Sequence, residues 1–195
     1  MYIGTHVDAP FHFSREGITV DQIPLSSLIG HCRVIDISRQ VDTNPDYCLS
    51  VEDIVAYESA FGILEANDIV VVKTGWHKHW QGGATQYLGF DETVQGKYDS
   101  TTSSLSFPGI GEDAANYLVS NHIAGVGIDT ASLDPGSCKR FLAHRILLGA
   151  GIYGIENLNG NVELIPPVGS SICIMPLKLT GGSGAPARVI FSLAD

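Results

Sequence analysis

Asp68-Ile-Val-Val-Val-Lys-Thr74 is a short β-branched run bounded by polar residues, and it reads as a strand. Further apolar runs at 32–37, 124–129, 152–155, 172–177 and 188–193 read the same way. Helical signals lie between them. Ser50-Val-Glu-Asp53 has the form of a capping box, with an acidic residue three positions after a serine, and it predicts a helix to about residue 61. A second helix is predicted over 111–121, where Glu112 and Asp113 favour the N-terminal dipole. A third is predicted over 136–148, stopped by Gly149 and Gly151. Strands alternating with helices predict an α/β fold, and the length suits one domain spanning 1–195.

Composition narrows the function classes. The 195 residues carry 21 acidic and 11 basic side chains, a formal net charge of −10. With 44% apolar and 16% charged residues, the chain has the balance of a folded protein. It is long enough to bury roughly 70% of its unfolded surface. The longest uncharged apolar run, 146–155, is shorter than the roughly 20 residues of a membrane span. The negative charge repels phosphate backbones and anionic lipid, so neither nucleic acid nor a membrane is the expected partner. An acidic chain with seven histidines leans towards divalent cations. Cys32, Cys48, Cys138 and Cys173 form no C-x-x-C pair, which supports neither a zinc knot nor a thioredoxin-like motif. They read as buried or incidental thiols. Met1 leads into a polar-aromatic stretch without the basic-then-apolar order of a signal peptide, so a cytoplasmic location is expected.

Residues 77–108 lack a clean period and are rich in glycine, threonine, serine and aromatics. A stretch of this length reads as a lid or substrate-side loop, with plain disorder as the alternative. Thr180-Gly-Gly-Ser-Gly-Ala-Pro186 reads as the link between the last two strands. Its glycines form neither a G-x-S-x-G elbow nor a phosphate loop ending in Gly-Lys-Ser/Thr.

The chemistry concentrates in Gly4-Thr-His-Val-Asp-Ala-Pro-Phe-His-Phe13. In an extended segment Tyr2, His6, Asp8 and His12 share one parity and one face. His6 and Asp8 can chelate one divalent ion, and imidazole with carboxylate suits zinc or manganese. The same spacing also fits a surface strand with two solvated histidines. Gly127-Ile-Asp-Thr-Ala-Ser-Leu-Asp134 follows an apolar strand, at the end where α/β sheets place their sites. His144, flanked by Leu142, Ala143, Ile146 and Leu147, reads either as a core histidine or as a ligand. Glu156 follows an apolar strand, and a buried carboxylate there needs a counter-charge. Phe11, Phe13, Trp76, Trp80 and Tyr87 either line an aromatic pocket or pack the core. His77 and His79 read as lid residues, because no neighbouring carboxylate joins them; His31 and His122 read as surface residues.

These stretches together resemble the cyclase family of metal-dependent hydrolases, which includes bacterial kynurenine formamidases and isatin hydrolases. The family signature looks like H-x-G-T-H-x-D-x-P-x-H, followed by a histidine on a helix and a glutamate on the next strand. Here Gly4-Thr5-His6-Val7-Asp8-Ala9-Pro10-Phe11-His12, Gly127-Ile128-Asp129-Thr130, His144 and Glu156-Asn157-Leu158 fall in that order. Lys73-Thr-Gly-Trp76 and Phe107-Pro-Gly109 are similar to family landmarks as well. The resemblance implies a swivelling β/β/α domain, usually a homo-oligomer (dimer or tetramer). It implies His6, Asp8, His144 and Glu156 as ligands for one or two ions, and His12 as the acid/base group. The family's first histidine falls on Tyr2, a poor zinc ligand, which would therefore serve at most as a substrate-pocket residue or a weak substitute. The family normally carries a few dozen residues before the motif, so a shortened or divergent N-terminus is expected.

A bound Lewis-acidic ion lowers the pKa of its water to about 7 and supplies hydroxide at neutral pH. The expected activity is hydrolysis of a carbon–nitrogen bond in a small-molecule substrate, an aryl formamide or cyclic amide. The rival expectations are hydrolysis of another small cyclic amide or ester, and a catalytically silent binding protein with an incomplete metal site.

Overall fold

In chain order the strands of the computed structural model, which describes residues 4–90 and 104–193, are β1 (His6–Asp8), β2 (Ile29–Asp36), β3 (Cys48–Leu49), β4 (Ile69–Lys73) and β5 (Gly109–Ile110). They are followed by β6 (Gly125–Ile128), β7 (Tyr153–Glu156), β8 (Ser170–Pro176) and β9 (Gly184–Ser192). Seven of them close into a barrel in the order β1-β7-β6-β4-β2-β8-β9, and β9 returns to pair with β1. The run β2-β4-β6-β7 is parallel. The pairings of β1 with β7 and β9, and of β8 with β2 and β9, are antiparallel. β3 and β5 form a separate parallel pair.

Alternation along β4 explains the unbroken apolar run that marked it in the sequence. Ile69 and Val71 face the barrel interior with Val7, Val34, Tyr153 and Ile155. Val70 and Val72 face outwards and pack with Ile128, Ile54, Leu118 and Leu147 under the helices. Both faces are buried, as in strands of parallel sheets covered by helices. The α/β class expected from the sequence is the class found, with helices layered on the outside of a barrel. Among the described residues no helix is long and apolar enough to cross a membrane.

The first two predicted helices form almost where the sequence places them, at Val51–Phe61 and Glu112–Ser120. The Ser50–Asp53 capping box is complete: Asp53 N–H donates to Ser50 Oγ (3.2 Å), and Ser50 N–H donates to Asp53 Oδ2 (2.9 Å). The third helix, Leu142–Gly149, starts six residues later than the predicted start at Gly136. Phe141 precedes it in a left-handed conformation, with φ of 52°. No local side chain caps this helix. Instead Asp134 accepts from Ala143 N (2.8 Å) and His144 N (3.2 Å), a cap delivered from nine and ten residues upstream.

Two other expectations change. The extended N-terminal segment stops at Ala9, because Pro10–His12 is a turn of 3-10 helix. Strand parity therefore does not carry His12. The stretch beginning at residue 77 is not irregular throughout: Trp76–Gly82 is 3-10 helix and Gly83–Tyr87 is a short α-helix. Residues 91–103 of the expected lid lie outside the described residues. At the other end, the Gly/Pro-rich link is shorter than expected, since Gly184, Ala185 and Pro186 already pair with β1.

Gly109 fixes how closely the Asp134 segment approaches β5. Gly136 N–H donates to Phe107 O (2.9 Å) and Ile110 N–H donates to Leu133 O (2.8 Å), so two backbones lie side by side. A Cβ at Gly109 would overlap the backbone of Asp134 and Pro135. Neither neighbour is a flexible side-chain end that could swing away. Gly109→Ala is therefore expected to cost about 1–3 kcal/mol, as overpacking does. Urea unfolding should show a lower midpoint with an unchanged slope; a wild-type midpoint would show that the segment can move aside.

Candidate active site

Val7 points into the barrel, so its neighbours His6 and Asp8 must point out of it, towards the helices. β7 pairs antiparallel with β1 and sets Glu156 directly opposite His6. Helix Leu142–Gly149 lies over this face and brings in His144. His6, Asp8, His144 and Glu156 are all at most 5% exposed. His6 Nε2 is 3.3 Å from Glu156 Oε2 and 3.6 Å from Asp8 Oδ1. His144 Nε2 is 3.0 Å from Glu156 Oε1 and 3.6 Å from Asp8 Oδ2. His6, Asp8 and Glu156 each offer a donor atom, all within 4.8 Å of one another.

The outer nitrogens of both imidazoles are held. His6 Nδ1–H donates to Gly4 O (3.0 Å), and His144 Nδ1–H donates to Asp134 Oδ2 (2.6 Å). A carbonyl or carboxylate can only accept, so both Nε2 atoms face the cluster as potential ligands. Glu156 Oε1 also accepts from Leu133 N (3.0 Å). Among the described residues Asp8 Oδ1 is buried and has no hydrogen-bond partner. A buried carboxylate oxygen left in that state is costly, and a cation is the group that would satisfy it. The donor set of two imidazole nitrogens and two carboxylates suits a divalent ion such as zinc or manganese.

Charge within the cluster is arranged accordingly. Burial pushes the Glu156 carboxyl up, but hydrogen bonds from His144 and His6 outweigh it and hold it at about 2. Burial pushes the His144 imidazole down, but Asp134, Asp8 and Glu156 outweigh it and hold its pKa well above the ordinary 6.5. His6 is raised in the same way, with Glu156 as the main partner against burial.

The cluster opens into a cavity of about 610 Å³. Phe13, Leu88, Leu105, Phe107 and Phe141 form its apolar wall, with Ser132, Cys138 and Lys139 at other points of the lining. His12 also lines it, with Nε2 3.8 Å from Asp8 Oδ2 and Nδ1 3.2 Å from Ser183 Oγ. The Phe13 ring packs at a tilt against His144 (centroids 4.7 Å apart) and Phe141 (5.6 Å). Another cavity of about 530 Å³ beside β9 is lined by no carboxylate or imidazole.

A family model described as "Putative cyclase" matches residues 1–135. The chain belongs to the cyclase family. It is 32% identical to isatin hydrolase of Roseibium aggregatum, over 96% of this chain and 70% of that protein. It is 26% identical to kynurenine formamidase of Paracidovorax citrulli, over 97% and 74%. Among solved structures it superposes on isatin hydrolase A from Labrenzia aggregata bound to benzyl benzoate with a TM-score of 0.87 and 30% identity, covering 98% of this chain and 73% of that one. A potential metal-dependent hydrolase with cyclase activity gives a TM-score of 0.66 at 28% identity, covering 98% and 79%.

The structure of this cyclase-family chain brings His6, Asp8, His12, Phe13, His144 and Glu156 to one cavity. It places the other expected pocket residues elsewhere. Phe11 is 39% exposed and lies outside the lining. Trp76 belongs to the core, and its indole N–H donates to Tyr87 O (2.7 Å). Trp80 packs edge-on to Tyr87 and lines a separate cavity with His77 and Asn157. Tyr2 lies outside the described residues. The expectation that no carboxylate joins His77 is corrected: Asp129, 52 residues away, lies 3.0 Å from its Nδ1. That hydrogen bond raises the His77 pKa against the opposing effect of burial. Sequence reasoning missed Asp134 and Ser183 as partners of His144 and His12. Asp134 ends the polar segment already singled out, but only the fold shows what it holds.

The pKa directions set a stability profile for metal-free protein. His6 and His144 are raised above 6.5, so their contribution is complete below pH 6.5 and lost as pH rises through their folded values. Glu156 is lowered from 4.5 to about 2, so its contribution is complete above pH 4.5 and lost as pH falls towards 2. The urea midpoint of the stripped protein should therefore decline above pH 6.5. Asp134→Asn, which weakens the hold on the His144 proton, should flatten that decline. A midpoint that climbs steadily above pH 6.5 would contradict the assignment.

Proposed function

We propose that this chain hydrolyses a carbon–nitrogen bond in a small cyclic amide or aryl formamide, using a divalent ion, zinc or manganese, held by His6, Asp8, Glu156 and His144. The carrying observation is the buried donor cluster, in which Asp8 Oδ1 accepts no hydrogen bond from the described residues, set at the base of an aromatic-walled cavity beside His12. The names of the relatives support the same class, since isatin is a cyclic amide and a formamidase acts on a formamide. The higher identity to isatin hydrolase favours a cyclic amide as the first substrate to test.

A bound ion would supply Lewis-acid activation of both water and the substrate carbonyl. The protein groups supply the rest. His12 Nε2 faces the cavity and can take the proton of the attacking water, then return it to the leaving nitrogen. Phe13, Phe107 and Phe141 offer flat apolar surface for an aryl ring and keep bulk water from it. His144 and His6 stay fixed while this happens, because Asp134 and Gly4 hold their outer nitrogens.

Elemental analysis of protein purified without chelators should find one or two zinc or manganese ions per chain. The loaded protein should open isatin or cleave an N-formyl aniline. His12→Ala should lower turnover by about 10²–10⁴-fold with near-normal metal content, the range expected for loss of a general acid/base. Unchanged turnover in that variant would remove His12 from the mechanism. Protein that binds neither metal would overturn the proposal.

A further inference from the structure

Of His6, Asp8, His12, His144 and Glu156, His12 alone is held by neither a strand nor an α-helix. It ends the 3-10 turn Pro10–His12, and its side chain is 37% exposed. What fixes its ring comes from the far end of the chain: Ser183 Oγ lies 3.2 Å from His12 Nδ1. Ser183 is itself clamped. Ala9 N–H donates to Ser183 O (2.9 Å), which extends the β1–β9 ladder one step beyond the Asp8–Gly184 pair. The preceding turn is tied to the segment around Val20. Val20 N–H donates to Gly182 O (2.9 Å), and Gly181 N–H donates to Asp21 Oδ1 (3.1 Å). That same oxygen accepts from the Thr19 hydroxyl (2.6 Å). Gly181 sits at φ of 70°, a conformation that glycine adopts without strain. The Gly-Gly-Ser-Gly run is thus a tied turn that presents one hydroxyl to one imidazole.

We propose that Ser183 is the positioning residue for His12: its hydroxyl accepts the His12 Nδ1–H and turns the Nε2 lone pair into the cavity. This rests on His12 being the acid/base group of the amide hydrolysis proposed above. A serine hydroxyl suits the task because it accepts from Nδ1–H in both the neutral and the protonated ring. The contact therefore survives proton transfer without rearrangement. The water proton goes to Nε2 and then to the leaving nitrogen, and Ser183 neither gains nor loses one. The arrangement parallels the way Asp134 and Gly4 hold the outer nitrogens of His144 and His6, with a neutral partner in place of a carboxylate or a carbonyl.

The test compares wild type, Ser183→Ala and Ser183→Thr, each loaded with the same metal, in two measurements. One is steady-state hydrolysis of isatin and of an N-formyl aniline. The other is the long-range ¹H–¹⁵N spectrum of the imidazoles at a single fixed pH. Ser183→Ala should lower kcat about tenfold, the cost of one hydrogen bond that matters in the transition state, and leave KM within about twofold. Its His12 signals should move from the Nδ1–H tautomer towards a mixture. Ser183→Thr, which keeps the hydroxyl, should restore both. Wild-type kcat in Ser183→Ala overturns the proposal, as does a fall in kcat that Thr does not rescue and that leaves the tautomer unchanged. If wild type cleaves neither substrate while its spectrum still responds to Ser183→Ala, the amidohydrolase reading fails and the Ser183–His12 contact stands.

Discussion

The register between β1 and β7 is the constraint on which the site depends. Val7 opposite Ile155 and His6 opposite Glu156 are two consequences of one pairing. The first pair fills the barrel and the second faces the helices. A slip of β1 by one residue would exchange its faces, sending His6 and Asp8 into an interior made of Val34, Ile69, Val71 and Ile172. Ionisable groups without partners in such a setting cost several kcal/mol each (about the penalty seen for buried ions), so the hydrophobic core enforces the geometry of the polar cluster. Packing and chemistry are two sides of the same strand.

A second tier of buried carboxylates holds what the barrel cannot. Asp134 caps the helix carrying His144 and also grips the His144 ring, so the start of the helix and the aim of the imidazole are set by one group. Asp129 does comparable work at the end of β6. It accepts from Thr74 N (2.8 Å), Thr74 Oγ1 (2.7 Å) and His77 Nδ1, tying the exit of β4 to the helical turn that follows. Both residues come from the segment Gly127–Asp134. That segment was legible as a site-forming stretch because polar residues follow an apolar strand there, yet neither residue belongs to the donor cluster itself.

What could be read from the sequence is what local geometry determines. Strand alternation correctly put His6 and Asp8 on one face, and the capping box located a helix start to the residue. His12 reaches the same cavity for a different reason, because Pro10 begins a turn that folds it back over Asp8. The late start of the third helix had no local sign, since its cap, Asp134, acts from nine residues away. Ser183 lies 171 positions from His12 and is brought there by closure of the barrel through β1 and β9, which no window of sequence contains. The aromatics divide on similar grounds. Phe13 shares the turn with His12 and so shares its cavity, whereas Trp76 follows β4 and is drawn into the core by its indole N–H bond to Tyr87.

Charge balance links the fold to the ion it would hold. The carboxylates of Asp8, Asp134 and Glu156 share a nearly water-free region with the imidazoles of His6 and His144, and hydrogen bonds to the carboxylates raise the pKa of both rings against the effect of burial. Ligand imidazoles must be neutral, so a bound ion would displace any proton held at Nε2. Where both rings carry that proton, one divalent ion in exchange for two protons would leave the buried charge unchanged. A second ion would reverse the sign of the cluster and would have to bring an anion with it, from solvent or from substrate. The carboxylates that hold the two imidazoles in place are thus the same groups that would attract a cation.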